Sequence, residues 1–186
     1  SAVIKYFHCT PLIIGPGVKT GISVNSENPK EVGADRIVNV AAAYHLYHEA
    51  CLVIDFGTAT TYDYISSKGV FEYTVISPGI EIAAQALWSM TAKLPEIEIN
   101  KPERVLAKNT VTGMQSGLVY GYIGQVEYLV RKIKAELNQP QLKVIATGGL
   151  GRILVKETDC IDEYDPDLAF KGMKIIYDKN QKGSRE

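Results

Sequence analysis

Leu52–Thr61 (LVIDFGTATT) is the stretch that decides the fold. An apolar run of strand character delivers Asp55, and Gly57 with a cluster of threonines follows at once. Apolar β-branched residues bounded by glycine predict a buried strand that runs into a tight turn. The N–H groups and hydroxyls of such a turn can cradle phosphate oxygens, and Asp55 could hold a cation beside them. A hairpin turn with a surface aspartate would give the same pattern.

The totals of this 186-residue chain suit one domain, or one and a fraction. Apolar residues make up 46% of the sequence, charged residues 22%, and the formal net charge is −1. A near-neutral chain has no general attraction to nucleic acid or anionic membranes, and no apolar run approaches a membrane span. Three widely spaced cysteines favour a reducing compartment. We therefore expect a cytoplasmic protein with no nucleic-acid or membrane partner.

The first part of the chain alternates strand and helix patterns. The mostly apolar Ala2–Tyr6 and the short strand predicted over Pro11–Gly17 suggest a chain that starts inside a sheet. A helix is predicted from Pro29 to about Tyr47. After the strand that ends at Asp55, Tyr62–Ile65 and Val70–Ile76 predict a hairpin.

The second part continues the alternation with helices over Ile80–Ala92 and Thr110–Leu137, a strand over Lys143–Leu150 that ends in a glycine-rich turn, and a helix over Pro166–Lys179. This order predicts an α/β layered domain. Glycines recur in the longest helix and permit close approach of another backbone. Either a tight contact within the chain or a subunit interface explains them. These glycines are Gly113, Gly117, Gly121 and Gly124.

Two further features suggest chemistry. Asp35 follows Gly33 and Ala34 and precedes Arg36, a bidentate partner for a carboxylate or phosphate. A carboxylate at a helix start is also stabilised by the helix dipole alone. The turn at Gly148-Gly149 follows an apolar strand and could lie flat against a nucleotide, or could simply connect a strand to a helix.

Taken together, the motifs resemble those of the type III pantothenate kinases. The matching stretches occur in order along essentially the whole chain: Asn28–Arg36 (NPKEVGADR), Asp55–Thr61 (DFGTATT), Ser77–Ile80 (SPGI), Ala92–Pro95 (AKLP), Lys108–Thr110 (KNT), Ala146–Leu150 (ATGGL) and Ile176–Asn180 (IYDKN).

This resemblance implies an actin-like ATPase fold built from two ribonuclease-H-like domains. We expect residues 1–47 to be the remainder of a truncated first domain and residues 48–186 to form the second. The implied activity is ATP-dependent phosphorylation of pantothenate to 4'-phosphopantothenate, the first step of coenzyme A biosynthesis. It implies ATP, Mg²⁺ and a monovalent cation (K⁺ or NH₄⁺), and a homodimer.

The resemblance also implies roles for individual residues. Asp35 would be the general base for the pantothenate hydroxyl, with Gly33, Ala34 and Arg36 binding pantothenate and Arg36 near its carboxylate. Thr110 would contact pantothenate across the dimer interface.

The implied ATP and cation contacts lie in the glycine turns. Asp55 would bind the monovalent cation. Gly57 and Thr58 would meet the ATP phosphates, and Gly148 and Gly149 would lie against the nucleotide.

The chain departs from the family pattern in several places. No Asp-x-Gly-Asn-Thr phosphate-binding motif occurs, so we expect the chain to be a fragment with severely reduced catalysis. Ser26 stands where the family often has tyrosine, and Tyr73-Thr74 stand where it usually has two glycines. Glu96 replaces a common basic residue. These departures also suit an alternative, a non-enzymatic transcriptional regulator of the Bvg accessory factor type.

Overall fold

A six-stranded mixed sheet forms the centre of the computed structural model, which describes residues 2–182. Its strands are β1 (Ser23–Val24), β2 (Cys51–Phe56), β3 (Ala59–Ile65), β4 (Val70–Pro78), β5 (Lys143–Thr147) and β6 (Glu163–Tyr164). Their spatial order is β1-β4-β3-β2-β5-β6. β2, β3 and β4 form an antiparallel meander, whereas β2–β5, β5–β6 and β1–β4 are parallel pairs. The predicted α/β class and the β3–β4 hairpin are confirmed.

Helices cover both faces of this sheet. They are α1 (Ala2–Phe7), α2 (Ala34–Tyr47), α3 (Ile80–Ser89), α4 (Thr110–Glu136), α5 (Gly151–Leu154) and α6 (Leu168–Lys182), with single 3-10 turns at Pro29–Glu31 and Val155–Glu157. The predictions of α2, α3, α4 and α6 are confirmed to within a few residues at each end. Among the helices of residues 2–182, none has the length and hydropathy that a membrane crossing requires.

The alternating side chains of β2 divide the core into two layers. Cys51 and Val53 pack with apolar residues of α2, whereas Leu52 and Ile54 pack with apolar residues of α4. Successive side chains of a strand point to opposite faces, so α2 and α4 lie on opposite sides of the sheet. We call these sides the α2 face and the α4 face. α6 packs beside α2, because Leu168 belongs to the same apolar cluster.

The expectation that the chain starts inside a sheet is wrong for the described residues. Ala2–Phe7 forms a short helix, and Pro11–Gly17 forms no strand. The two prolines of this stretch cannot donate to a ladder, and Ile13 is 78% exposed with no sheet to pack against. The local bonds of a helix satisfy the backbone of α1 without a partner strand.

Candidate active site

The glycine turns after β2 and β5 lie side by side, because these strands are parallel neighbours. Gly148 has φ +92°, and a Cβ there would stand 2.6 Å from the carbonyl oxygen of Phe56 and 2.7 Å from Asp55 Oδ1. Only glycine combines that backbone conformation with so close an approach. The structure therefore brings the DFGT and TGG motifs together around Asp55, while Gly149 is exposed beside them.

A third motif braces the same turn. The backbone N–H of Gly79 donates to the carbonyl oxygen of Thr58 at 3.0 Å, and a Cβ on Gly79 would meet the carbonyl oxygens of Gly57 and Thr58 at 2.4 Å. Gly79, which lies between β4 and α3, thus packs directly against the DFGT turn, while Ser77 and Pro78 continue β4 beside β3. Gly57 and Thr58 themselves are exposed, so their backbone and hydroxyl groups can meet a ligand.

Asp55 is half-buried at the end of β2 on the α2 face. Its Oδ2 accepts a hydrogen bond of 2.9 Å from Nδ2 of Asn39 in α2. Burial raises the pKa of the Asp55 carboxyl above its usual value, the Asn39 hydrogen bond opposes that rise, and the charges of Asp35 and Asp63 add to it. The carboxylates of Asp35 and Asp63 are therefore close enough to act on Asp55.

Two buried oxygens near Asp55 have no hydrogen-bond partner among the described residues. They are Asn39 Oδ1 and Thr61 Oγ1. Thr61 lies directly opposite Asp55 in the β2–β3 ladder, so their side chains share the α2 face. An amide oxygen, a hydroxyl and a carboxylate form an all-oxygen set of the kind that hard cations prefer. This set fits a cation, which would give both unpartnered oxygens a contact.

Asp35 lies in the first turn of α2 and is exposed. Gly33 is the residue before the helix and Ala34 is its first residue. The Asp35 carboxylate folds back over Gly33, where an added Cβ would stand 2.4 Å from Asp35 Oδ1. Because it is exposed, this carboxylate can meet a hydroxyl of a bound ligand, which is what a general base requires.

Arg36 points from α2 to the sheet and forms a bidentate ion pair. Its Nε donates to Asp63 Oδ2 at 3.0 Å, and its Nη2 donates to Asp63 Oδ1 at 2.5 Å. Thr74 Oγ1 accepts from Nη2 at 2.5 Å and donates to Asp63 Oδ1 at 2.8 Å. Arg36 is thus joined to both β3 and β4.

A pocket of about 650 Å³ opens in front of Arg36, between the segment before α2 and the outer part of β4. Ser26, Tyr73 and Thr74 line this pocket together with Arg36. The two departures from the family pattern at residues 26 and 73–74, far apart in sequence, therefore meet at one surface. This surface is the candidate acceptor-substrate pocket.

Thr110 does not join the other predicted residues within the chain. It begins α4, on the opposite face of the sheet from Asp35 and Arg36, where it lines an open groove of about 580 Å³ with residues of α3 and α4. Further along the same helix, a Cβ added at Gly117, Gly121 or Gly124 would meet no described atom within 4 Å. Among residues 2–182 these three glycines therefore make no tight contact, and Gly113 meets only the Ala107 side chain at 3.9 Å.

Sequence reasoning missed Asn39 and Asp63, and it included Thr61 only in the threonine cluster after Gly57. Asn39 could have been found as a polar residue inside the apolar run Ile37–Ala41, four positions after Asp35 and so on the same side of the helix. Thr61 and Asp63 alternate with the buried tyrosines of β3, which places both on the α2 face. The described residues contain no group of three or more His, Cys, Asp or Glu side chains arranged to hold a metal ion.

Comparison with known proteins agrees with these motifs. A family model described as type III pantothenate kinase matches residues 1–132. The chain is 54% identical over 184 residues to a type III pantothenate kinase of Agathobacter rectalis, an alignment that covers 98% of this chain and 71% of that protein.

A solved structure shares the fold. The crystal structure assigned to the Baf family of transcriptional activators from Campylobacter jejuni aligns with a TM-score of 0.54 and 24% identity. The alignment covers 86% of this chain and 69% of that one. At this identity the likeness concerns the fold alone.

Proposed function

This chain belongs to the type III pantothenate kinase family, and we propose that it transfers the γ-phosphoryl group of ATP to the hydroxyl of pantothenate. The product, 4'-phosphopantothenate, is the first intermediate made from pantothenate in coenzyme A biosynthesis. The observation that carries this proposal is the 54% identity to a named kinase over nearly the whole chain, together with the meeting of three family motifs around Asp55. The regulator alternative is not favoured, because the Campylobacter jejuni structure assigned to that class of regulator is only 24% identical to this chain.

In the proposed reaction Asp35 is the general base. The hydroxyl oxygen of pantothenate attacks the γ-phosphorus, its proton passes to the Asp35 carboxylate, and ADP leaves. Positioning and charge neutralisation supply most of the acceleration in such transfers. The exposed carboxylate of Asp35, close to the glycine turns but outside them, suits this role.

The acceptor substrate would lie in the pocket in front of Arg36. Gly33 and Ala34 leave room beside Asp35, and Arg36 lines the pocket where the carboxylate of pantothenate would bind. ATP would lie across the adjoining turns, with its phosphates on Gly57 and Thr58 and its nucleoside against Gly148 and Gly149. These turns are adjacent, and both Gly57 and Gly149 are exposed.

Asp55, with Asn39 Oδ1 and Thr61 Oγ1, would hold the monovalent cation, K⁺ or NH₄⁺. The unpartnered buried oxygens support this assignment. Such a cation would neutralise the charge of Asp55 beside the phosphates. We propose that Mg²⁺ arrives with ATP, since this ion is usually bound by one or two carboxylates together with substrate phosphates.

We further propose that the kinase works as a homodimer in which Thr110 reaches the partner's pantothenate pocket. Within one chain Thr110 and Asp35 lie on opposite faces of the sheet, so a second chain is required for both to touch one substrate. The open glycine surface of α4 supports close approach of that chain.

We also propose a specific fold class and a cellular location. An antiparallel three-strand meander with parallel strands β5 and β6 beside it suits a ribonuclease-H-like domain of the actin-like class. The division at residues 47 and 48 stays a prediction. We propose a cytoplasmic enzyme, for which the three unpaired cysteines Cys9, Cys51 and Cys160 are suited.

The test is pantothenate-dependent ADP release with Mg-ATP, in potassium and in sodium buffers. It is run on the chain and on the chain preceded by an Asp-x-Gly-Asn-Thr segment. We expect release that requires pantothenate and is faster in potassium. Asp35→Asn should lower kcat by about 10²–10⁴-fold, because general-base catalysis contributes this much, while calorimetry still detects pantothenate binding. Asp35→Asn turnover equal to wild type would remove Asp35 from its role, and no pantothenate-dependent release from the extended chain would reject the kinase.

A further inference from the structure

We propose that Asp63 and Thr74 are positioning residues that fix the guanidinium of Arg36 at the wall of the acceptor pocket. The proposal rests on the proposed function, because it names what prepares Arg36 for the carboxylate of pantothenate. Neither Asp63 nor Thr74 belongs to the motifs by which the chain resembles its family.

The geometry around Arg36 restrains the guanidinium from several directions. Asp63 takes the Nε and Nη2 edge in a bidentate pair, and Thr74 bonds to both Nη2 and Asp63. The guanidinium carbon also stands 5.4 Å from the centre of the Phe71 ring. A planar group held along one edge and over one face keeps a single orientation. Its third nitrogen, Nη1, is then directed away from Asp63.

Burial separates the positioning residue from the contact residue. The Asp63 side chain is 2% exposed, whereas that of Arg36 is 13% exposed. Arg36 and Thr74 line the pocket, but Asp63 does not. Asp63 therefore makes no direct contact with the pocket and is connected to it through Arg36 and Thr74.

The charges that line the pocket make the orientation of the Arg36 guanidinium important for binding an anionic substrate. Glu27, Glu31 and Glu72 line the pocket, and Arg36 is the one cationic side chain among the described lining residues. An anionic substrate meets repulsion from the three glutamates unless Arg36 presents its donors directly. A guanidinium that rotated freely would spend time beside the glutamates instead.

Thr74 gives the sharpest test, because Thr74→Val removes the hydroxyl while it keeps the charge and the branched shape. The variant loses one hydrogen bond to the guanidinium and one to Asp63, which should raise the Kd and KM for pantothenate by between about twofold and tenfold. The KM for ATP and the kcat should not change, since the ATP turns lie elsewhere. Thr74→Ser retains the hydroxyl and should restore the wild-type KM.

Asp63→Asn separates positioning from simple neutralisation. If Asp63 served only to cancel the charge of Arg36, its removal would strengthen the attraction for an anion and lower the Kd for pantothenate. The positioning role predicts a higher Kd, and a larger change than in Thr74→Val, because both hydrogen bonds that Asp63 accepts from the guanidinium are weakened, whereas Thr74→Val removes only one bond to the guanidinium. Thermal melts verify that each variant is folded.

An NMR signal separates failure of this proposal from failure of the proposed function. The Nε–Hε resonance of Arg36 in the chain without substrate should be slow to exchange with water, and should exchange faster in Thr74→Val. If wild type neither binds nor phosphorylates pantothenate, the proposed function fails while this signal still tests the restraint. An unchanged resonance and an unchanged pantothenate Kd in Thr74→Val, or tighter binding in Asp63→Asn, would overturn the positioning role.

Discussion

The two faces of the sheet differ in how many contacts within the chain their candidate site residues make. On the α2 face, Asp55 and Arg36 each bond to a side chain from another element of the same chain, Asn39 and Asp63. On the α4 face, Thr110 begins α4. A Cβ added at Gly117, Gly121 or Gly124 of that helix would meet no described atom within 4 Å. The difference teaches that contacts within one chain hold the α2-face residues in place, whereas the described contacts leave the α4 surface open to the second chain that we propose.

The same contrast exists between glycines. Gly148 is enclosed by Phe56 and Asp55, while Gly121 faces open space. Gly148 is therefore required by the fold of a single chain, and Gly121 is not. Substitutions at these two positions test the comparison directly.

The largest effect is expected from Gly148→Ala. The methyl group would clash with backbone at Phe56, and alanine is disfavoured at φ +92°. Together these costs should lower the free energy of unfolding by about 2–5 kcal/mol, measured by urea denaturation. The added methyl group would also displace the Asp55 carboxylate. If Asp55 binds potassium as proposed, potassium should no longer raise the melting temperature of this variant.

Gly149→Ala is the matched control for stability. No described atom lies within 4 Å of its Cβ position, and its φ is outside the left-handed range. Its free energy of unfolding should stay within about 0.5 kcal/mol of wild type. Equal losses in the two variants would contradict the claim that the α2-face site is built by close packing at Gly148.

Gly121→Leu should change the stability of the chain less than Gly148→Ala does, but it should clearly weaken dimerisation. Leucine is a better helix former than glycine by about 1 kcal/mol, and open space surrounds the position, so the chain should remain folded. The side chain would hold a second helix away, and sedimentation velocity should detect a shift from dimer to monomer.

Glu127→Leu is the control for that experiment. Glu127 is exposed on the same helix, and six residues separate it from Gly121, which corresponds to about 120° around the axis. It should leave the dimer intact. A Gly121→Leu dimer, or a wild-type monomer at every concentration, would contradict the role given to the α4 surface.

Much of the fold could be predicted because its signals are local. The strand that ends at Asp55, the hairpin and the helix from Thr110 each have strong periodicity and clear turn residues. The amino-terminal segment was mispredicted, because apolar residues alone do not specify a strand when no partner strand is adjacent. Whether Ala2–Tyr6 meets a sheet depends on tertiary contacts that periodicity does not contain.

The candidate site was only partly predictable for a similar reason. Asp35, Arg36 and Asp55 lie in recognisable motifs, but their partners Asn39 and Asp63 belong to no motif. Their importance arises where α2 crosses the sheet, which depends on register and helix rotation. The opposite location of Thr110 likewise follows from topology and could not be read from its spacing to Asp35.

The last and smallest expected difference is in stability, between substitutions at two adjacent residues of β3 that face opposite sides of the sheet. Thr60 faces α4, and its hydroxyl bonds to that of Tyr122, whereas Thr61 faces α2 and its hydroxyl has no described partner. Thr60→Val should destabilise the chain by about 1–3 kcal/mol, because it leaves the Tyr122 hydroxyl poorly paired. Thr61→Val should be neutral or stabilise it by about 1 kcal/mol in potassium-free buffer, because an unpaired buried hydroxyl is removed.

Potassium should reverse that advantage. If Thr61 is kept unpaired so that it can bind a cation with Asp55, then potassium should raise the melting temperature of wild type and of Thr60→Val, but much less that of Thr61→Val. Melts in potassium, sodium and choline buffers measure this directly, without turnover. Two results would contradict a cation site on the α2 face. One is a Thr61→Val chain that is less stable than wild type in choline, and the other is a Thr61→Val chain whose melting temperature still rises fully with potassium.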